Sequence, residues 1–320
     1  MIYYGEPYFE LFSYEATDKT RNDTCKILNS MGYSPLKLSC FSGVNIEKAD
    51  EELVNIEEND IILLQYPTYC GADYEKRLIE ISHKKKAKIG AIVHDLESIR
   101  FYGNDSDIEI LNGFDIISLP SMEMYKKLLK QGLKTKVKIQ LIWDFLAMDN
   151  QQWYDTNSDI VFAGNLTMEK SKWIIDVDFP MLVYGDNINN LIFNNGVKYC
   201  GKKHDSDLVK EIGGQIGLLW EEGLYKDYLK YNLLFKPSLY LAANCPIIVP
   251  AKTHIGNIVE TYKIGVTVKN IERQTMLDAV IKLKDNLNFY QERVSTFGET
   301  IRNGQNMKTL VESMVREIEN

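Results

Sequence analysis

The sequence predicts an α/β protein made of two doubly wound domains that face each other across a cleft. Three observations carry that expectation. Short apolar runs alternate with helical stretches along the chain. The alternation breaks once near the middle and then restarts. At 320 residues, 45% of them apolar, the chain is long enough to bury two cores.

In the first half, "DIILLQYP" (60–67), "AKIGAIVHD" (87–95), "DIISLP" (115–120) and "VKIQLIW" (137–143) read as buried parallel strands. Helical stretches lie between them at 18–32, 73–86 and 121–132. The last opens on Ser121, a good N-cap, and stops at Gly132. The stretch 144–159 is polar and without periodicity, and reads as an interdomain linker. Strand patterns return at 159–164, 180–185, 197–201, 216–220, 246–250 and 265–270. The tail, 272–318, is helical: Met276, Val280, Ile281, Leu283, Leu287 and Tyr290 recur near helical spacing, and Leu310, Val311, Met314, Val315 and Ile318 repeat the pattern.

Composition excludes several classes. The net charge of −8 and the lack of a basic patch argue against nucleic acid or an anionic membrane as partner. The short run Lys84–Lys85–Lys86–Ala87–Lys88 suits a solvated helix end. Five scattered cysteines with no CxxC pair fit a reducing compartment, and "MIYYGEPYFEL" is no signal peptide, so a cytoplasmic location is expected. No apolar run is long enough to span a membrane. The four histidines are far apart and read as lacking HxxxH or DxD partners, so no metal site is expected. Walker A, GxGxxG and GxSxG sequences are absent.

In open α/β sheets, ligands bind beyond the carboxyl ends of strands. In "FKPSLYLAANCPII" (235–248), Pro237 suits the first helical position, which puts Lys236 at the N-cap against the helix dipole. After "DIVFAG", Gly164 permits a tight exit, Thr167 can cap the next helix, and Lys170 falls where a capping box would place an acid. Two lysines at helix starts point to an anion, with a phosphate on the helix N–H groups. Lys170 can instead face solvent.

Tyr199 or Cys200 ends a strand where a nucleobase could stack, or Tyr199 is a half-buried strand tyrosine. Glu221 and Glu222 end another strand, as a solvated loop or as partners for sugar hydroxyls. "IVHDLESIR" brings His94 and Asp95 to a sheet edge. Asp95 there is a candidate base, or else a cap beside a structural histidine. The loop 15–23 precedes the first helix; Thr17 or Asp18 can cap it, leaving Lys19 and Arg21 near its start.

These stretches carry a resemblance. "FKPSLYLAANCPIIV" resembles the Lys-x-x-x-Tyr-Leu-Ala-Ala-Gly-x-Pro stretch of GT-B glycosyltransferases. "TDKTRNDTCKILNSMGY", "LLQYPT", "AIVHDLESIR", "IVFAGNLTMEKSKW", "IGLLWEEG" and "DYLKYNLLFKPSLYLAANCPIIV" fall in the order found in the bacterial glucosyltransferase 3 and β-1,6-galactofuranosyltransferase family. The resemblance spans nearly the whole chain. It implies a GT-B enzyme that moves glucose or galactofuranose from a UDP-sugar co-substrate to a glycan or glycoprotein acceptor, with no metal or other cofactor.

The resemblance also implies an acceptor domain at 1–150, a donor domain at 151–303 and a final helix at 304–320 that crosses back to the first domain, though the tail could serve a homo-oligomer contact instead. On the donor side it points to Lys236 and Lys170 on the diphosphate, Gly164 and Asn165 shaping that pocket and Tyr199 by the uridine; Glu222, from the strand-end reading above, is the donor-side candidate for the sugar. Lys19, Arg21 and Asp23 fall on its acceptor-side loop. There are two departures. No histidine precedes Lys236, where galactofuranosyl members read Asn-Asn-Pro-His-Lys, and Asn244 replaces a glycine but can still adopt the left-handed turn. A sugar-nucleotide epimerase and a non-catalytic glycan-binding partner are the rival readings.

Overall fold

Unbroken apolar runs bury both faces of a strand, and such strands belong in the middle of parallel sheets. The computed structural model describes residues 1–8, 15–40, 46–100, 106–148, 155–194, 196–222 and 224–320. The chain divides into two compact units, Met1–Ile142 with Asn306–Asn320, and Trp143–Gln305.

The first unit runs β1 (Ile2–Tyr8), α1 (Glu15–Ser30), β2 (Ser34–Ser39), α2 (Lys48–Glu52), β3 (Ile61–Tyr66), α3 (Ala72–Lys84), β4 (Lys88–Val93), α4 (Glu97–Arg100), α5 (Ser106–Leu111), β5 (Ile116–Leu119), α6 (Met122–Lys130) and β6 (Lys136–Ile139). Its six strands are parallel in the order β2-β1-β3-β4-β5-β6. All six residues of β3 are buried, as a central strand requires. Ser121 caps α6 by accepting from Met124 N–H, and Gly132 ends it at φ 100°.

Three expectations change here. Strands β1 and β2 occupy stretches to which the sequence pattern assigns none. Gly5 and Pro7 interrupt the apolar run of β1, and Pro35 is tolerated because β2 is an edge strand. The strand at 137–143 is shorter and less buried than its apolar pattern suggests. It is the other edge, and its Lys136 and Lys138 pair with Glu317. Finally, 15–23 is helix, not loop. Lys19, Arg21 and Asp23 all lie within α1, with Thr20, Arg21, Asp23 and Thr24 buried.

The second unit runs β7 (Ile160–Ala163), α7 (Met168–Ser171), a 3₁₀ turn (Lys172–Asp176), β8 (Met181–Tyr184), β9 (Val197–Tyr199), α8 (Asp205–Ile212), β10 (Ile216–Leu218), α9 (Leu224–Tyr228), α10 (Lys236–Ala242), β11 (Ile247–Pro250), α11 (His254–Tyr262), β12 (Gly265–Val268), α12 (Arg273–Asp285) and α13 (Leu287–Arg302). Its six parallel strands run β12-β11-β10-β7-β8-β9. The core gathers Phe162, Trp173, Ile174, Phe179, Leu218 and Ile248, with Phe162 and Trp173 edge-to-face at 5.1 Å.

The stretch read as a linker begins inside this unit. Asp144 and Phe145 are buried, and Phe145 stacks on Phe235 at 5.1 Å. A single apolar side chain in an irregular segment has no periodicity to betray its burial. Residues 149–154 of that stretch lie outside the described ones. A last helix, α14 (Gln305–Glu319), belongs to the first unit from Asn306 onward. It buries Met307, Leu310, Val311, Met314 and Val315.

Candidate functional site

A doubly wound sheet has a switch point, where the strand order reverses from its first strand and a crevice opens beyond the carboxyl ends. In the second unit the chain goes from β7 outward to β8 and β9, then returns to lay β10 on the other side of β7. The switch point is therefore between β7 and β10. Gly164 leaves β7, and Glu221 lies three residues beyond β10. Lys236, the first residue of α10, brings its ammonium to both.

Lys236 Nζ donates to Glu221 Oε1 at 2.7 Å and lies 4.6 Å from the centroid of Phe162. The Lys236 and Glu221 side chains keep 21% and 7% of their surface. Gly164 makes room for the lysine: a Cβ on it would stand 2.6 Å from Lys236 Cε and 2.9 Å from Nζ. On the other flank, Gly185 packs so tightly that a Cβ there would meet the Gly164 carbonyl oxygen at 1.9 Å. Gly164 thus makes room for the cation, and Gly185 lets the neighbouring strand end close on the Gly164 backbone.

The sequence placed Lys236 at an N-cap. Instead Phe235 is the N-cap, without a side-chain capping bond, and Lys236 and Pro237 are the first two helical residues. Helix α10 has seven residues and α7 has four, so neither carries much of a dipole. What Lys236 faces is the Glu221 carboxylate and the Phe162 ring. Thr167 caps α7 by position only, with no side-chain bond.

Asn165 is exposed; its Oδ1 accepts from Thr167 N–H at 3.0 Å, and its carbonyl accepts from Ser171 Oγ at 2.6 Å. These bonds close a compact turn that carries Lys170, half-buried, on the segment leaving β7. Tyr199 is exposed, donates to the Gly185 carbonyl at 3.0 Å and leans on Phe193. It sits on β9, two strands from β7 and hence about 10 Å away across the sheet. Of the two glutamates, Glu222 is exposed and accepts from Trp220 Nε1 at 3.3 Å, while the buried Glu221 holds Lys236.

In the first unit, β1, β3 and β4 end around a buried polar cluster. Arg21, 1% exposed, donates to the carbonyls of Gln65 at 3.2 Å and Pro67 at 2.6 Å. Lys19 and Asp23, one turn apart, form an ion pair. Arg21 thus ties α1 to the end of β3. Gln65 Nε2 donates to the carbonyls of Gly5 and Arg21, both at 3.3 Å. That orientation turns its oxygen to His94 Nε2 at 2.9 Å, so this nitrogen carries the hydrogen.

Burial, and the Arg21 charge after it, hold the His94 imidazole well below its usual range, so it is neutral. Burial pushes the neighbouring Cys25 thiol up to about 12. Asp95 follows on the same sheet edge, half-buried and near Tyr69, whose hydroxyl is pushed up by burial and then by the Asp95 charge.

The expected lack of DxD sequences does not hold: three Asp-x-Asp triplets occur, at 105–107, 176–178 and 205–207, the last directly after His204. Asp105 lies outside the described residues, and Asp107 accepts from Tyr66 Oη at 2.7 Å. Among the described residues, no group of three or more histidine, cysteine or acidic side chains could hold a metal ion. Nor is any described helix long and apolar enough to cross a membrane.

Two parallel doubly wound units, the second with a lysine held at its switch point, have the GT-B architecture. Comparison with known proteins narrows the class. The family models for the N-terminal and C-terminal domains of Glucosyltransferase 3-like proteins match residues 7–142 and 160–314. The chain belongs to the Glucosyltransferase 3-like family.

It is 24% identical over 322 residues to Glucosyltransferase 3 of Streptococcus gordonii, covering 93% of each chain. It is 25% identical over 300 residues to the β-1,6-galactofuranosyltransferase WbbI of Escherichia coli K12, covering 89% of this chain and 84% of that one. Among solved structures, Anabaena HepE, crystallised with UDP, is similar in fold. The TM-score is 0.64 at 9% identity, covering 98% of this chain and 99% of that one.

Proposed function

We propose that this chain moves a hexosyl group, glucose or galactofuranose, from a UDP-sugar to a sugar hydroxyl on a glycoprotein or polysaccharide precursor. The transfer inverts the anomeric centre and uses no metal. The observation that carries this reading is the Lys236 ammonium lodged against Gly164 and Glu221 at the switch point.

The acceptor oxygen attacks the anomeric carbon as the bond from that carbon to the β-phosphate oxygen breaks. The acceptor proton passes to Asp95, and UDP leaves with the bonding electrons. Negative charge builds on the departing diphosphate, and a cation already held there lowers the barrier without reorganising, typically by ~3–4 kcal/mol for one important donor. Lys236 is that cation, and Lys170 is a second on the segment leaving β7. Gly164 and Asn165 border the phosphates, Tyr199 lies toward the uridine, and Glu221 and Glu222 offer carboxylates to sugar hydroxyls.

The similarity to a glucosyltransferase and a galactofuranosyltransferase at nearly equal identity supports the hexose class and leaves both sugars as donors to try. The test is a screen of UDP-sugars for release of UDP, with and without a GlcNAc-bearing acceptor, in EDTA and again with added manganese. Transfer that survives EDTA and gives the inverted anomer by NMR supports the proposal. Activity abolished by EDTA and restored by manganese refutes the metal-free step, and a retained anomeric configuration refutes the role of Asp95. Failure to release UDP from any UDP-sugar refutes the donor class.

A further inference from the structure

The ladder between β7 and β10 stops one bond early. Ile216 N–H donates to the Asp159 carbonyl at 2.9 Å, and the register pairs Ile216 with Ile160 and Gly217 with Val161. Parallel ladders repeat every second residue, so the next bond on this edge belongs between Ala163 N–H and the Leu218 carbonyl. A side chain occupies that place. Ala163 N–H donates instead to Tyr240 Oη at 2.8 Å, and Tyr240 Oη donates to the Leu218 carbonyl at 3.1 Å. A hydroxyl bridging at these lengths holds the two groups roughly 4–6 Å apart, against about 2.9 Å for a direct bond.

The wedge has a built socket. Tyr240 is fully buried, and its ring lies on Gly217, where a Cβ would stand 2.4 Å from Tyr240 Cγ. Tyr240 and Lys236 are four residues apart in α10 and so share one face of the helix. The same face that parts the strands also delivers the ammonium between their ends, to Gly164 on one and Glu221 on the other.

We infer that Tyr240 is a positioning residue: its hydroxyl, inserted into the sheet ladder between β7 and β10, spreads the two strand ends and so creates the gap in which Lys236 meets the donor diphosphate. This rests on the functional reading above and extends it from the charge to the device that makes room for it. Both orphan groups of the ladder stay satisfied because one hydroxyl can accept and donate at once. Phenylalanine fills the same socket and removes only the bridge.

The experiment compares wild type and Tyr240→Phe by calorimetric titration with UDP and with uridine, alongside thermal melting. The expected result is at least a ten-fold loss of UDP affinity with uridine affinity within two-fold of wild type, because only the phosphate seat narrows. Unchanged UDP affinity, or equal loss for both ligands, would overturn the inference and leave Tyr240 a packing residue. A second measurement needs no variant: in wild-type protein, UDP should slow amide exchange in both 163–165 and 219–221. Protection at one strand end alone overturns the wedge. A wild type that binds no UDP would sink the functional reading, and this inference with it.

Discussion

Gly164→Ala displaces Lys236 from its seat without replacing the lysine. The new methyl would stand 2.6 Å from Lys236 Cε, 2.9 Å from Nζ and 3.4 Å from Phe162 Cζ. The first two contacts are with the end of a flexible side chain, so Lys236 moves and the backbone stays. Gly164 is not among the residues with positive φ, so alanine adds no backbone strain there, and it lowers unfolded-state entropy by about 0.4–1 kcal/mol.

Moving the ammonium breaks its 2.7 Å bond to buried Glu221, a loss of about 1–3 kcal/mol. The net destabilisation is then at most about 2–3 kcal/mol, or a fall in Tm of about 4–12 °C for a unit of this size. Function suffers more. A charge-assisted bond to phosphate is worth about 1.5–3 kcal/mol, so UDP binds about 10- to 150-fold more weakly. Turnover loses about 10²- to 10³-fold, as for removal of one transition-state donor. Titration calorimetry with UDP and single-turnover transfer measure the two effects. Combined with Lys236→Ala, the alanine at 164 should add almost nothing, since both changes remove one interaction. Wild-type UDP affinity and turnover in Gly164→Ala would refute the placement of Lys236 at the diphosphate.

Other outcomes follow from the same contacts. Lys236→Ala strands the buried Glu221 carboxylate and costs about 1–3 kcal/mol by thermal melting; adding Glu221→Gln restores the stability but not UDP binding. Because His94 titrates below its unfolded value near 6.5, the unfolded chain binds more protons on acidification. The histidine's contribution is therefore complete above pH 6.5 and is lost as pH falls, by at most about 1.4 kcal/mol per pH unit. Denaturant melts of wild type and His94→Asn between pH 7 and 5 measure that slope, and equal slopes would refute it. Truncation after Asn303 removes five buried apolar side chains of α14, each worth about 1.5–3 kcal/mol, which exceeds the reserve of most domains. The first unit should then unfold in limited proteolysis, and survival of an intact first unit would show that α14 is dispensable to it.

Much of the fold was legible because central parallel strands are unbroken apolar runs. Two of the strands that escaped or shrank, β2 and β6, are edges, where Pro35 and the lysines at 136 and 138 are tolerated for lack of a second neighbour; the third, β1, is internal, and Gly5 and Pro7 break its apolar run. Helix α1 was misread at its start because its buried face is polar. Arg21 and Gln65 satisfy each other's neighbourhood through backbone carbonyls, and a hydropathy pattern cannot show that. In the candidate site, Lys236 and Gly164 were visible as chemistry out of place. Glu221 could not be told from Glu222 beside it, because which carboxylate is buried depends on where β10 ends. The sequence signal for Tyr240 is its four-residue spacing from Lys236, which puts both on one face of a helix.

Seven residues make a marginal helix, and its N-cap, Phe235, offers no side-chain capping bond. Tertiary contacts overrule both. Ser238 Oγ donates to the Trp143 carbonyl at 2.6 Å, and Arg302 Nη1 donates at the far end to the Ala242 carbonyl and Asn244 Oδ1, at 3.1 and 3.0 Å. Asn244 takes the left-handed conformation, φ 57°, that closes the helix as the family's glycine would. At Gly298 of α13 a Cβ would meet the Leu241 carbonyl at 2.4 Å, so the two helices approach as closely as backbones allow. With its end capped by a cation, its middle pinned into the sheet by Tyr240 and its start paired to Glu221, α10 has little freedom left. The lysine is thereby held by its own contacts, as the proposed transfer requires. A preset cation need not reorganise as charge develops, and electrostatic catalysis depends on that property.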